Sequence, residues 1–315
     1  MRIYHGLDSL ETPLQNTVVA IGVFDGVHRG HQEILHQTVR EARSQGYLPI
    51  VMTFDIHPSE LFSPDSSPPY IASLSQRAAW IDEYGGGLDS VVIVRFDHAF
   101  ASLSPETFVT DVLECKLGVR HVLVGADFCY GKSRAGTVTS LLNSGAKNGF
   151  AVTVVPPILL DGERISSTQV RKYVADGDLA QAVKLLGHRF VVEGVVGHGK
   201  KLGRTLGYPT ANLLPLQPRQ LLPGNGIYAA LAHLSDGRQF RAAVNIGTNP
   251  TTDTDGERKI EAYLMDDFRG DLYDQKLALD FRVRIRDEAK FDSLESLIAQ
   301  MKLDVEQVAE SALRP

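Results

Sequence analysis

The sequence predicts an α/β chain in which a doubly wound parallel sheet is followed by a small antiparallel β-barrel and a C-terminal helix. Over the first 155 residues, short apolar segments rich in β-branched residues alternate with helical patterns, which is typical of a parallel sheet covered on both faces. From about residue 188, strand-like segments follow one another directly, which favours an antiparallel barrel. The length of 315 residues also favours two domains.

The first half contains five predicted strands and four predicted helices. The strands are predicted at Val18–Val23, Ile50–Phe54, Val91–Val94, Val122–Val124 and Val152–Val155. The helices are predicted at Gln32–Ser44, Leu74–Tyr84, Pro105–Leu117 and Val138–Asn148. Ser104 followed by Pro105 is a cap residue before proline, a pattern that marks the start of a helix.

The second half contains five predicted strands and a terminal helix. The strands are predicted at Phe190–Val196, Ile227–His233, Gln239–Asn245, Lys259–Met265 and Leu277–Arg284, and the helix at Ser293–Ala312. Asp236-Gly237 between two of them is a strong hairpin signal. A short helix predicted at Asp178–Leu186 connects the halves, so we expect domains at residues 1–185 and 186–315.

Composition excludes several classes of protein. The 32 Lys and Arg residues against 38 Asp and Glu give a formal net charge of −6, which argues against a general nucleic-acid binder. The two cysteines fit a reducing compartment, and no apolar stretch approaches the roughly 20 residues of a membrane span. We therefore expect a cytoplasmic protein with neither nucleic acid nor membrane as partner, and the composition leaves monomer and weak homo-oligomer open.

The first predicted strand runs into a glycine-rich corner, Gly22-Val23-Phe24-Asp25-Gly26-Val27-His28-Arg29-Gly30-His31. Helix N-termini at the carboxyl ends of parallel strands bind anions, and His28 and His31 share one face of the first helical turn. The two histidines can therefore donate hydrogen bonds to phosphate oxygens. The alternatives are a glycine turn with two surface histidines, or a metal pair without a nearby third ligand. The spacing differs from GxGxxG, which argues against a dinucleotide-binding dehydrogenase.

Two further corners of the same predicted sheet carry anion-binding residue types. Gly125–Gly136, which includes Asp127, mixes glycines, aromatic residues and cations after a strand. Ser166-Ser167-Thr168-Gln169-Val170-Arg171 follows the last strand of the sheet and, by itself, is most often a helix cap. Because all three corners lie at one edge of one sheet, they predict a phosphate-binding site there.

The second domain opens with a segment that matches part of the P-loop pattern. Gly194–Lys200 fits GxxxxGK, but Lys201 stands where a P-loop needs Ser or Thr, and the glycines and proline that follow do not begin a helix. We therefore reject the P-loop and predict a glycine-rich flap over phosphates. The flap residues are Gly199, Lys200, Gly203, Arg204 and Gly207.

Two motifs carry a specific resemblance. His28-Arg29-Gly30-His31 resembles the HxGH signature of the nucleotidylyltransferase superfamily, and Pro209-Thr210-Ala211-Asn212 resembles the PTAN motif of riboflavin kinases. Together with Thr53–Pro58, Gly125–Gly136 and Ser166–Arg171, these motifs resemble the bacterial bifunctional riboflavin kinase/FMN adenylyltransferase (FAD synthetase) family over about residues 15–305.

The resemblance implies two reactions. A nucleotidylyltransferase-like domain at residues 1–185 would join FMN to AMP from ATP with release of pyrophosphate, giving FAD. A riboflavin kinase barrel at residues 186–315 would transfer the γ-phosphate of ATP to riboflavin. Riboflavin, FMN and ATP are then the small-molecule partners, Mg²⁺ accompanies ATP, and no organic cofactor is permanently bound because the flavins are substrates and products.

The resemblance also implies residue roles. Glu261 would be the base of the kinase, His28 and His31 would stabilise phosphate charge, and Thr210 and Asn212 would bind Mg²⁺. The remaining nucleotide- and flavin-binding residues implied are Gly22, Phe24, Asp25, Gly30, Asp127, Ser167, Thr168 and Arg171 in the first domain, and Gly199, Lys200, Gly203, Arg204, Gly207, Pro209 and Asn245 in the second.

Alternatives remain at this stage. By alternation alone, a strand glutamate such as Glu261 is more often on a solvated face than catalytic. A non-catalytic flavin- or nucleotide-binding regulator would need neither Glu261 nor the Thr210 and Asn212 pair. An adenylyltransferase for pantetheine phosphate or nicotinamide mononucleotide would share the HxGH corner but would not explain the barrel. Asp274, where many family members have Gly, and Tyr263, where His is frequent, are departures that bear on turn geometry and flavin contacts.

Overall fold

The computed structural model describes residues 1–198, 207–248, 258–266 and 268–311, and the chain divides into two compact units. The first unit is Met1–Pro68 with Leu74–Ser166, and the second is Pro69–Ser73 with Ser167–Pro315. The domain boundary predicted after residue 185 stays a prediction, and the helices that directly precede it cluster with the second unit.

The first unit is a parallel six-stranded sheet with helices on both faces, which confirms the predicted fold class. Its strands and short hairpins are β1 Arg2–His5, β2 Thr17–Ile21, β3 Leu48–Phe54, β4 Ser90–Val94, β5 Val119–Gly125, β6 Cys129–Tyr130, β7 Gly136–Thr137, β8 Ala151–Val155, β9 Leu159–Leu160 and β10 Glu163–Arg164. Its α-helices are α1 Arg29–Gln45, α2 Pro58–Phe62, α3 Leu74–Tyr84, α4 His98–Ala101, α5 Pro105–Thr107 and α6 Val138–Asn148.

The order of the sheet is β1-β4-β3-β2-β5-β8, and every neighbouring pair is parallel. Alternate residues of β2 face two different cores: Val19 packs with the aromatic and aliphatic residues around Phe108, whereas Val18 packs against Ala42 of α1. Burial on both faces explains the unbroken apolar strands of the sequence. The edge strand β1 was not predicted, because its side chains are mostly exposed and polar.

The helix predicted at Pro105–Leu117 differs in the structure. Ser104 caps its start as predicted, since the Ser104 hydroxyl accepts a hydrogen bond from the Thr107 amide at 3.1 Å. After Thr107, however, the chain forms a π-helix over Phe108–Lys116, and the Leu117 amide bonds to the Val112 carbonyl five residues earlier. Nine residues of apolar pattern do not distinguish the α-helical from the π-helical period.

The second unit is built on a closed antiparallel barrel of six strands in the order β11-β12-β15-β14-β13-β16. Its strands are β11 Phe190–Gly197, β12 Thr210–Pro215, β13 Gly226–Leu234, β14 Gln239–Gly247, β15 Lys259–Leu264 and β16 Lys276–Arg286. Its helices are α7 Ser167–Ala175, α8 Leu179–Leu186 and α9 Leu294–Glu310. The predicted Asp236-Gly237 turn joins β13 to β14, and Gly237 has a φ of 88°.

The strand β12 was not predicted, because Pro-Thr-Ala-Asn carries no apolar alternation. It becomes a strand by pairing with β11 on one side and β15 on the other. Every second side chain along the barrel strands points into the interior and fills it. Examples are Val192, Val244, Ala262 and Phe281, each of which is fully buried. The opposite side chains of these strands therefore lie on the outside of the barrel.

Part of that outside is covered by the C-terminal helix α9. Val308 of α9 packs in a small apolar cluster with Ala229, Leu231 and Met265, and Tyr263 lies at the edge of this cluster. No helix among the described residues is long and apolar enough to cross a bilayer.

Candidate functional site

The first candidate site begins where β2 ends and α1 starts. His28 is the N-cap of α1, and its Nδ1 accepts a hydrogen bond from the backbone amide of His31 at 3.2 Å. In a neutral imidazole this bond places the proton on Nε2, so Nε2 is a hydrogen-bond donor. The cap therefore sets the tautomer of the first histidine of the HxGH motif.

The two histidine rings are held against each other. Their centroids lie 3.6 Å apart with the planes 14° from parallel, and Phe24 meets the His31 ring edge-on at 5.2 Å. The His28 residue is 5% exposed. The His28 ring therefore keeps one orientation, because it is stacked, hydrogen-bonded and buried. A group that stabilises phosphate charge must be held in one orientation in this way.

This packing needs glycine at positions 22 and 30, both of which were predicted to bind nucleotide or flavin. A Cβ added at Gly30 would lie 3.1 Å from Cε1 of His28 and 3.8 Å from the carbonyl oxygen of Ile165. A Cβ added at Gly22 would lie 3.2 Å from two ring carbons of Phe24. The structure thus brings the segment before α7, at Ile165, to the same corner as the histidines.

The loop between β2 and α1 is strained. Phe24 and Val27 have φ values of 53° and 38°, although neither is glycine, and both are fully buried. A β-branched residue such as Val27 is rarely left-handed, and such strain persists only where the surroundings hold the backbone. Asp25, which was predicted to bind nucleotide or flavin, is 2% exposed in this loop.

The neighbouring strand β3 ends in a second ordered corner. The Asp55 carboxylate accepts hydrogen bonds from the amides of Ile56 and Phe96, both at 2.8 Å, and so ties the end of β3 to the segment after β4. His57 caps α2 and lies 2.6 Å from the hydroxyl of Ser59.

Other residues predicted for this site have contacts of their own in the structure. Asp127 is exposed and forms an ion pair with Arg164 at 2.9 Å, which joins the loop after β5 to the β9–β10 hairpin. Ser167, Thr168 and Arg171 lie in the first two turns of α7, within the second unit, where Arg171 donates to the carbonyl of Pro69 at 2.7 Å. Their assignment to the nucleotide site stays a prediction.

The second candidate site is a row of three side chains across the barrel. Glu261 on β15 lies directly opposite Asn212 on β12 and Asn245 on β14. Directly opposite residues of antiparallel strands share a face, so the carboxylate stands between two amides. Their buried neighbours Ile260 and Ala262 fill the barrel interior, which places the half-buried row on the outside of the barrel.

Thr210 lies on the same face, two residues before Asn212 and directly opposite Tyr263. It borders a cavity of about 440 Å³. The cavity is lined by Val196, Gly207, Pro209, Thr210, Ala211, Ala262, Tyr263, Leu264, Phe268, Arg269, Gly270, Asp271, Leu272 and Tyr273. Gly199, Lys200, Gly203 and Arg204 of the predicted flap lie outside the described residues.

The donor set of this site fits a nucleotide-bound Mg²⁺. The Thr210 hydroxyl and the Asn212 amide oxygen are neutral oxygen donors on one face of β12, and Mg²⁺ commonly takes few protein ligands when phosphates and waters supply the rest. No cluster of three His, Cys, Asp or Glu side chains that could hold a metal occurs in the part of the chain that the structure describes.

The structure shows the surroundings of Asp274 and Tyr263, the two residues that differ from the family pattern. Asp274 has a φ of 61°, the left-handed conformation that glycine adopts most easily, and its amide bonds to the Val196 carbonyl at 2.9 Å. The Tyr263 ring meets the Tyr208 ring edge-on at 5.2 Å, directly before the Pro209-Thr210 turn. The turn geometry is therefore kept with Asp, and the aromatic pair supports the segment that carries Thr210.

One residue near the first site was missed by sequence reasoning. Arg77 on α3 is 2% exposed and donates to the carbonyls of Val23 and Phe54. A signal was present, since Arg77 precedes the apolar residues Trp80 and Ile81 by three and four positions and so shares their buried helix face.

Comparisons with known proteins agree with this architecture. A family model for FAD synthetase matches residues 10–169, and one for riboflavin kinase matches residues 186–312. A bifunctional riboflavin kinase/FMN adenylyltransferase from Pseudomonas fluorescens is 40% identical over 305 residues, which cover 97% of this chain and 96% of that protein. The chain belongs to the bifunctional riboflavin kinase/FMN adenylyltransferase family.

Two other known proteins match this chain over similar lengths. The protein of the same description from Escherichia coli strain K12 is 39% identical, with 96% of each chain covered. A crystal structure described as a macrolide-efflux protein from Streptococcus pneumoniae is 31% identical and superposes with a TM-score of 0.84, covering 98% of this chain and 99% of that one. The fold of both units is thus that of a solved structure, and its efflux description concerns that protein.

Proposed function

We propose that this chain makes FAD in two steps, phosphorylating riboflavin to FMN in the barrel and adenylylating FMN in the parallel-sheet unit. The observation that carries the proposal is the order of the matched domains, FAD synthetase and then riboflavin kinase, in a chain that covers 96% of its relatives' length. The row of Glu261 between Asn212 and Asn245 supports chemistry in the barrel as well as flavin binding.

In the kinase step, Glu261 is the general base. The primary hydroxyl of riboflavin attacks the γ-phosphorus of ATP, the bond from that phosphorus to the β,γ-bridging oxygen breaks, and the hydroxyl proton passes to the Glu261 carboxylate. The residues directly opposite Glu261 on the two neighbouring strands are Asn212 and Asn245, whose side-chain amides can donate hydrogen bonds to this carboxylate. Thr210 and Asn212 would hold Mg²⁺ with the nucleotide, where it would supply positive charge against the phosphates.

In the adenylyl step, no general base is required. The phosphate of FMN is already an anionic nucleophile, so one of its oxygens attacks the α-phosphorus of ATP and pyrophosphate leaves. His28 donates a hydrogen bond from Nε2 to a phosphate oxygen of ATP. The backbone amides at the start of α1, which form the positive end of the helix dipole, lie at the same corner. His31, whose ring stacks on that of His28, also stabilises the charge that moves toward the leaving pyrophosphate.

The remaining assignments follow from this chemistry. Mg²⁺ enters with ATP, and riboflavin, FMN and FAD pass through as substrates and products, so no permanently bound organic cofactor is needed. The net charge of −6 supports small-molecule partners over nucleic acid. The few cysteines support a cytoplasmic location.

The test is product analysis with matched variants of the full chain. Purified protein is incubated with riboflavin, ATP and Mg²⁺, and FMN and FAD are separated by chromatography. Glu261→Gln keeps the shape of the side chain and removes its basicity, so riboflavin phosphorylation should fall by roughly 10²–10⁴-fold while supplied FMN is still converted to FAD. Parent protein that forms neither product would refute the function.

Asn212→Ala is the matched comparison for the metal assignment. Loss of an oxygen ligand should raise the Mg²⁺ concentration needed for half-maximal kinase activity, whereas Glu261→Gln should leave that concentration unchanged. Equal Mg²⁺ dependence of the Asn212→Ala variant and the parent would remove Asn212 from the metal site.

A further inference from the structure

Arg77 is an arginine in the interior of the first unit. It lies on α3, is 2% exposed, and shares its helix face with the buried residues Trp80 and Ile81. A buried guanidinium is costly unless its donors are satisfied. Its hydrogen-bond partners therefore indicate what Arg77 does in the structure.

The guanidinium joins the ends of two neighbouring strands. Nη1 donates to the carbonyl of Val23 at 2.8 Å, and Nη2 donates to the carbonyl of Phe54 at 2.6 Å and, more weakly, to that of Asp55 at 3.3 Å. Val23 lies in the loop between β2 and α1, whereas Phe54 is the last residue of β3. One planar group therefore fixes the spacing between the loop that leads to the histidines and the adjacent strand end.

The Val23 carbonyl is held twice. The hydroxyl of Thr53 donates to it at 3.0 Å, in addition to Arg77. The next residue, Phe24, is in the left-handed region with a φ of 53°, and its ring packs edge-on against His31. The two donors thus fix the peptide directly before the strained residue that contacts the catalytic histidine, which is how strained backbone persists.

We propose that Arg77 is a positioning residue for adenylyl transfer, acting through the Val23 carbonyl and Phe24 to keep the β2–α1 loop and His31 in their reactive arrangement. The proposal rests on the proposed adenylyltransferase function of this unit. Arg77 itself does not contact the reacting atoms. Its loss should consequently lower the rate of the chemical step more than the binding of ATP or FMN.

The experiment measures kcat and KM for FMN adenylylation in Arg77→Met, Arg77→Lys and, as a control, Arg40→Met. Misplacement of a catalytic group by about 1 Å can cost about 10²-fold, so Arg77→Met should lose roughly 10²-fold in kcat, with both KM values within a few-fold of the parent. The ammonium group of Arg77→Lys has three donors for the carbonyls of Val23, Phe54 and Asp55 and should restore activity to within about 10-fold. Arg40 is exposed and pairs with Glu33, so Arg40→Met should behave as the parent.

The kinase activity of the same proteins is the internal control, and it should be unchanged in every variant. Arg77→Met activity within three-fold of the parent, or a loss confined to KM, would overturn the proposal. If Arg77→Met does not fold, Thr53→Val decides, because it removes the second donor to Val23: a kcat loss of several-fold supports the positioning role, and an unchanged kcat refutes it. Parent protein that makes no FAD from FMN would instead refute the proposed function.

Discussion

Gly30→Ala adds one methyl group against the His28 ring at the start of α1, in the corner proposed to carry out adenylyl transfer. The new Cβ would lie 3.1 Å from Cε1 and 3.2 Å from Nδ1 of His28, and 3.8 Å from the Ile165 carbonyl oxygen. The first two distances are shorter than ordinary van der Waals contact, so the ring must move by a few tenths of an ångström. The ring cannot move freely, because it stacks on His31 at 3.6 Å and is 5% exposed.

The size of the effect follows from that displacement. The hydrogen bond from the His31 amide to His28 Nδ1 is already 3.2 Å long, and it is the contact that sets the tautomer. Catalytic groups must stay within about 0.5 Å of their productive geometry, and 1 Å of misplacement can cost about 10²-fold. We expect FMN adenylylation to fall by about 10- to 10²-fold. Stability should change little, since alanine is favoured over glycine within a helix by about 0.5–1 kcal/mol.

Gly46→Ala, at the other end of the same helix, is the matched control. Gly46 has a φ of 69°, and nothing lies within 4 Å of an added Cβ. Alanine at this position would therefore have a strained backbone but no steric clash. That variant should lose about 1–2 kcal/mol of stability and keep its adenylyl activity. The fluorescence of Trp80, the only tryptophan of the chain, reports the unfolding of the first unit.

The assay compares initial rates of FAD formation from supplied FMN and of FMN formation from riboflavin in parent, Gly30→Ala and Gly46→Ala proteins. The reasoning would be refuted by a Gly30→Ala protein that makes FAD within two-fold of the parent rate. Equal loss of the kinase activity would also contradict it, because the added methyl group concerns only the β2–α1 corner.

Three further outcomes are expected. Asp274→Ala should destabilise the barrel by about 1 kcal/mol and Asp274→Gly should not, because the residue has a φ of 61°; calorimetric melting checks this, and equal melting of the two variants would contradict it. Hydrogen bonds from Arg241 hold the pKa of Asp266 below its ordinary value of 3.8, so this pair stabilises the barrel above that pH and the stabilisation is lost as the pH falls through the lower folded value. The free energy of unfolding, measured by denaturant titration, should therefore fall below pH 3.8 more steeply in the parent than in Asp266→Asn, and parallel profiles would refute this. His28→Ala should cut FAD formation by about 10²-fold with unchanged kinase activity, and a loss of both activities in the two product assays would indicate misfolding.

Local patterns predicted most elements of both units. The apolar segments became β2, β3, β4, β5 and β8, and α3 and α6 begin and end at the predicted residues. Among the described strands of more than two residues, two escaped prediction for physical reasons: β1 is an exposed edge, and β12 is a strand only because β11 and β15 pair with it. The π-helix at Phe108–Lys116 likewise depends on packing that an apolar pattern over nine residues does not specify.

The sequence by itself determined which chemical groups the chain carries and the order of its two domains. Glycine spacing, cap residues and hydrophobic period act within a few residues, so His28 and His31 could be placed at a helix start from the sequence alone. Glu261 could not be distinguished from a solvated strand glutamate in the same way.

Only the tertiary structure decided which of these groups meet. Barrel closure sets a register that puts Glu261 opposite Asn212 and Asn245, and burial of α3 brings Arg77 beneath the Val23 carbonyl. Strand register and helix packing depend on residues far apart in the chain, because pairing is decided by the hydrogen bonds and apolar surface of the whole unit. A motif therefore supplies a catalytic group, whereas its neighbours and its orientation come from the fold.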